Sequence, residues 1–231
     1  MAAFEVTATS PRTHCARTWL QTVVAGEVVG VAELELPLTE NTHVAWAEVD
    51  VLPTHRRRGV GRALFQAAVE LARAADRTRI GGEVTVDVST EGAARGFAAA
   101  VGAVDKHRED HLVADLPVAP SPVDPAYDVV TWRGRCPDEY REAYLAMRNQ
   151  MNADVPHGTD YGWQDDTLVM PEHRGHRLGA ALKAANYADL PDHVGLVHTW
   201  TAPSNMAMHR TNTALGFRVV EHMYEVEAPI A

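Results

Sequence analysis

The chain has 231 residues, 46% hydrophobic and 23% charged, which suits a globular protein of one large domain or two small ones. Its formal net charge of −10 argues against nucleic acid and anionic membranes as partners and favours cations. No apolar run nears the roughly 18 residues of a membrane span. The N-terminal MAAFEVTATSP lacks the basic-then-apolar order of a signal peptide. Cys15 and Cys136 stand far apart without metal or redox spacing, so a reducing, cytoplasmic setting is expected.

In chain order, 17–25 is rich in β-formers, Gly26-Glu27 is a turn, and 28–36 returns as a second strand. Alternation from His43 to Pro53 predicts a third. Val60, Leu64, Ala67, Ala68 and Leu71 recur at helical spacing, predicting a helix from Gly59 to about Ala75. A strand over 82–89, a short helix ending near Gly102 and a strand over 111–116 follow. Residues 117–127 are proline-rich and read as a linker. Beyond them the pattern predicts a strand at 127–132, a helix over 138–152 entered at Pro137, and a strand at 167–171. A helix over 176–190, a strand over 194–203, a helix over 205–216 and a last strand over 217–227 complete it.

The order strand, loop, helix, strand, helix, strand occurs twice, which is a repeat at domain scale. LPTHRRRGVGRALF (52–65) returns as MPEHRGHRLGAALK (170–183), with Pro53 matching Pro171 and no gap through the loop. In each copy a strand ends at proline, glycines bring the backbone close to whatever lies outside, and a helix begins. The first amides of a helix have no intrahelical partner and carry the positive end of its dipole. Such a turn receives phosphate or diphosphate, and Arg56 and Arg58 add charge-assisted hydrogen bonds. The glycine spacing is not that of a dinucleotide fold, and no Lys-Ser/Thr pair marks an ATPase loop.

Arg56-Arg57-Arg58-Gly59-Val60-Gly61 resembles the diphosphate loop of the GCN5-related N-acetyltransferases, the GNAT superfamily. The second copy, Arg174-Gly175-His176-Arg177-Leu178-Gly179, keeps the first arginine and last glycine but has Arg177 for the middle glycine. The stretch 205–217, with Asn205, Met208, Asn212 and Leu215-Gly216-Phe217, is similar to the helix after the family's fifth strand. Asn205 also suits a helix cap and Gly216 a helix end. The likeness covers most of 17–116 and 128–227. It implies an α/β (α+β) chain of two tandem acyl-CoA N-acyltransferase-like domains. Each would be a mixed, largely antiparallel sheet flanked by helices, with domains at 1–117 and 128–231 about a linker at 118–127. Early family elements are expected to be missing, since only residues 1–16 precede the first strand and little lies between Asn152 and Trp163.

The same resemblance implies acetyl-CoA as co-substrate, held in the first copy by Val51, Leu52, Arg56, Arg57, Arg58, Gly59, Val60, Gly61 and Arg62. The corresponding second set is Val169, Arg174, Gly175, His176, Arg177, Leu178 and Gly179, with Asn205 and Asn212. Transfer to an amine needs a base, for which carboxylates on the strand feeding the loop are the candidates: Glu48 and its counterpart Asp166, with Asp50 and Asp165 beside them. The family's tyrosine acid is missing from both helices, and Tyr224 and His209 are the substitutes. His173 and His176 lack a completing ligand at nearby spacing, so no metal is expected. The acceptor is then a small, cationic primary amine, with no nucleic-acid or membrane partner, and the protein a monomer or homodimer. The competing readings are an acyl-CoA sensor with one purely structural half, and a nucleic-acid binder through His55–Arg58, which the net charge opposes.

Overall fold

The computed structural model of the protein describes residues 3–11, 14–89, 92–154, 167–188, 190–191 and 193–230. The chain is a mixed α/β protein with largely antiparallel sheet flanked by helices. It divides into two compact units, Met1–His107 with Met223–Ala231, and Arg108–His222. No helix among the described residues is long and apolar enough to cross a membrane.

In the first unit, β1 (Ala3–Pro11), β2 (Cys15–Val24), β3 (Glu27–Pro37) and β4 (Val44–Val51) form an antiparallel meander. Ala25 and Gly26 join β2 to β3 with φ of 53° and 86°, the two-residue turn whose twist matches that of the strands. Strand β1 was not foreseen; it pairs with β2 from Ala3↔Val23 to Pro11↔Ala16. Helix α1 (Val60–Ala74) lays Val60, Leu64, Ala67, Ala68 and Ala72 against Leu20, Val29, Leu34 and Ala45 of the sheet. Gly30 permits this approach, because a Cβ there would come within 2.9 Å of Val60 and 3.1 Å of Leu64. The parallel strand β5 (Arg79–Asp87) follows, then α2 (Ala93–Ala100), which ends at Gly102 with φ 82°. The end of β8 (Arg218–Pro229) and the start of β6 (Val104–Asp115) continue the order of this unit as β5-β8-β6.

The second unit takes the rest of β8 and β6, with β7 (Leu196–Thr201) antiparallel to β6 from Asp110↔Thr201 to Asp115↔Leu196. Helices α3 (Arg141–Asp154), α4 (Leu178–Ala188) and α5 (Met206–Ala214) belong to it. Its core joins Leu112, Ala114, Ala184, Val197, Leu215 and Phe217. Asn205 caps α5 as expected, its Oδ1 accepting from the Met208 amide at 3.1 Å. The strands expected at 127–132 and 167–171 do not form. Both stretches have β-forming residues, but no ladder partner lies beside them among the described residues, and Tyr127 packs its ring on His173 and His176 instead. The proline-rich 118–127, read as a linker, lies inside this unit, with Val118 against the core.

Candidate functional site

Strand β4 pairs with β5 over three residues only, Val44–Arg79, Ala45–Ile80 and Trp46–Gly81. At Gly82 the backbones touch, since a Cβ there would lie 2.7 Å from the Ala47 carbonyl oxygen. Among the described residues no further pair joins the strands, so the β4 edge from Ala47 to Val51 does not pair with β5. At the end of that edge, Pro53–His55 makes one tight turn and α1 begins.

The loop is fastened from within. The Arg56 Nε donates to the Val51 carbonyl oxygen at 3.0 Å, and the His55 amide to that of Leu52 at 2.8 Å. Arg57 and Gly59 both take left-handed backbone, with φ of 61° and 84°. Gly59 is the residue before α1; it offers no side-chain cap, and the first turn holds no acidic residue. The opening amides of α1 therefore keep their donors, and the positive end of its dipole is not countered. Arg57 and Arg58 are exposed beside it without a hydrogen-bond or ion-pair partner among the described residues. Gly61 differs from expectation: its missing side chain faces inward, where a Cβ would meet Phe97 at 3.4 Å and Val51 at 3.5 Å.

The second loop repeats this path. Arg174 Nε donates to the Val169 carbonyl oxygen at 3.0 Å, and the His173 amide to that of Met170 at 2.9 Å. Gly175 and Arg177 are left-handed, φ 91° and 58°, at the places of Arg57 and Gly59. The two loops thus share two left-handed positions and exchange which of them is glycine. Leu178 and Gly179 begin α4, with Gly179 3.8 Å from Thr211 by the same measure. Here the surroundings differ: the His176 Nδ1 donates to Asp124 Oδ2 at 2.7 Å, and the Tyr127 hydroxyl is 3.2 Å from His173 Nδ1.

Glu48 and Asp50 share the exposed face of β4, opposite the face that carries Ala45, Ala47 and Val49 into the α1 core. Neither has a hydrogen-bond or ion-pair partner among the described residues. Their neighbours Glu33 and Glu35 are matched by Arg17 at 3.1 and 2.6 Å, and Glu33 also by the Trp19 indole N–H at 3.0 Å. Tyr224 lies on the helix side of the sheet, packed with Val84, Val86 and Ala98, its ring 3.8 Å below the Arg95 guanidinium. Glu48 and Tyr224 are therefore on opposite faces. Asp165 and Asp166 lie outside the described residues. His209 approaches Asp110 at 3.6 Å in the second unit. Asn212 is fully buried, its Nδ2 donating to Thr201 Oγ1 at 3.2 Å while its Oδ1 has no partner in the described structure.

Sequence reasoning missed Lys183, which is 5% exposed on α4. Among the described residues its Nζ reaches only the Thr199 hydroxyl at 3.4 Å and the face of Phe217 at 5.5 Å, and burial lowers its pKa. The loop alignment held a signal, since Lys183 stands where the first copy has Phe65.

A strand that leaves its parallel neighbour, then an arginine-rich turn into an uncapped helix, makes an arrangement that can receive an anion. Residues 4–103 match the acetyltransferase (GNAT) family model. Over 96% of its length the chain is similar to a tandem GNAT protein from the clavulanic acid biosynthesis pathway, at 28% identity, 85% coverage of that chain and a TM-score of 0.71. It shares the fold of a GCN5-related N-acetyltransferase from Sphaerobacter thermophilus, at 17% identity, covering 92% of this chain and 80% of that one, with a TM-score of 0.61. No curated protein matches. Residues 4–103 thus carry the match to the GNAT family, and the chain as a whole is similar to a tandem GNAT protein.

Proposed function

We propose that the protein is an acetyl-CoA-dependent N-acetyltransferase, that its first loop seats the carrier, and that a small cationic primary amine is the acceptor. The observation that carries the reading is the Arg56–Gly61 loop, open and cationic, at the end of the β4 edge. The residues fit such a carrier. The uncapped amides at the start of α1, with Arg58, suit a diphosphate, and the β4 edge suits the amides of an extended arm. The co-substrate supplies the activated thioester. Glu48 takes the proton of the attacking amine, directly or through water. Together with Asp50 it gives the exposed face of β4 two carboxylates without countercharges, which favours a cationic acceptor.

The test is thiol release from acetyl-CoA across a panel of di- and polyamines against neutral amines. Turnover confined to cationic amines is expected. Absence of both acetyl-CoA binding and turnover contradicts the reading.

One observation favours a second reading, an acyl-CoA sensor. Neither α2 nor α5 carries a tyrosine, and Tyr224 is covered by Arg95, so the leaving thiolate has no tyrosine assigned as its acid. Binding without turnover, indifferent to Glu48→Gln, would favour this alternative.

A further inference from the structure

The two loops follow one backbone path, yet among the described residues only the second is covered. Pro117, Pro120, Pro122 and Pro125 restrict the stretch before Tyr127, which delivers two side chains onto the loop. Asp124 Oδ1 accepts from the Ala126 amide at 3.0 Å, and Oδ2 accepts from His176 Nδ1 at 2.7 Å. Both interactions, the backbone N–H first, hold the Asp124 carboxyl below the usual carboxylate range, so it is an anion at neutral pH. The Tyr127 ring lies 5.6 Å from His173, edge-on, and 5.2 Å from His176, and its hydroxyl meets His173 Nδ1 at 3.2 Å.

Each contact removes something that the first loop retains. His176 stands where that loop has Arg58, and its Nδ1 proton is already committed to Asp124. His173 stands where it has His55, whose Nδ1 meets, among the described residues, only the neighbouring Thr54 hydroxyl at 3.1 Å. Glu172 replaces Thr54 and adds a further negative charge. An incoming diphosphate would meet a resident carboxylate where the first loop presents unpaired guanidinium groups.

We propose that residues 124–127 form a strap that shuts the second loop by placing the Asp124 carboxylate and the Tyr127 ring on it, so that each chain takes one carrier, on the first loop. The inference rests on the proposed role of the first loop.

The test titrates the full-length chain with CoA by calorimetry, and with inorganic diphosphate while following the imidazole signals of His173 and His176 by NMR. The variants are Asp124→Asn, which keeps the oxygen for the Ala126 amide but removes the charge, and Asp124→Asn with Tyr127→Ala. The wild type is expected to bind one CoA, and diphosphate is expected to leave both imidazoles unmoved. The double variant is expected to bind a second CoA, and its diphosphate affinity read at His176 is expected to tighten by at least about tenfold. Two CoA on the wild type would overturn the strap, as would unchanged diphosphate response in both variants. If no form binds CoA while the imidazole response still appears on opening the strap, the strap stands and the acetyl-CoA reading of the first loop fails.

Discussion

Gly59 and Arg177 hold the same place in the two loops and the same left-handed backbone, with φ of 84° and 58°. For an arginine that conformation costs roughly 1–2 kcal/mol, a cost glycine avoids. Arg177→Gly is therefore expected to stabilise the protein by up to about 1 kcal/mol, the gain being reduced by the greater freedom of the unfolded chain. Gly59→Ala, at a site with open space for a Cβ, should destabilise by a similar amount through backbone strain alone. Thermal unfolding of both variants measures this. A lower midpoint for Arg177→Gly would show that the arginine side chain contributes more than its backbone strain costs.

Lys183 gives a pH-dependent prediction. Its folded pKa is depressed by burial, so the unfolded chain binds this proton more readily than the folded one. The cost of burying the lysine is full below its folded pKa. It fades as pH rises towards the unfolded value and is gone above it. Lys183→Met keeps an unbranched side chain and removes the charge, so its midpoint at neutral pH is expected to rise, by about 2–4 °C for each kcal/mol recovered. The gain over wild type should shrink as pH is raised into the alkaline range. A loss of stability at neutral pH would mean that the Thr199 and Phe217 contacts outweigh burial.

Glu48→Gln removes a base while keeping shape and exposure. On the proposed reading kcat falls by roughly 100-fold or more, KM for acetyl-CoA stays put, and the acidic limb of the pH–rate profile disappears. An unaltered profile would move the base elsewhere, with Asp50 on the same face of β4 next to be tested.

Much of this was readable in the sequence, and the misses share a cause. The α1 stripe needs only its own periodicity, and Val60, Leu64, Ala67 and Ala68 all reach the core. The Asn205 cap is equally local, and the turn from Pro53 into α1 was legible from glycines beside arginines. The stretch 127–132 was misread because β-propensity supplies no ladder partner, and Tyr127 found the loop histidines instead. Nothing local marks Asp124 for His176, 52 residues away. Left-handed Arg57 and Arg177 were also out of reach, since arginine carries no preference for that backbone. Gly61 was read as part of the carrier loop; the structure turns its Cβ position towards Phe97 and Val51, so a substitution there disturbs packing.

The most direct test of the central claim compares CoA affinity in two charge reversals, Arg58→Glu on the first loop and Arg177→Glu on the second, by calorimetry. A hydrogen bond to a charged group is worth about 1.5–3 kcal/mol, so Arg58→Glu is expected to weaken CoA roughly tenfold to a hundredfold, and Arg177→Glu to leave it unchanged. Equal affinity in wild type and Arg58→Glu, or a loss confined to Arg177→Glu, would contradict the assignment of the carrier to the first loop.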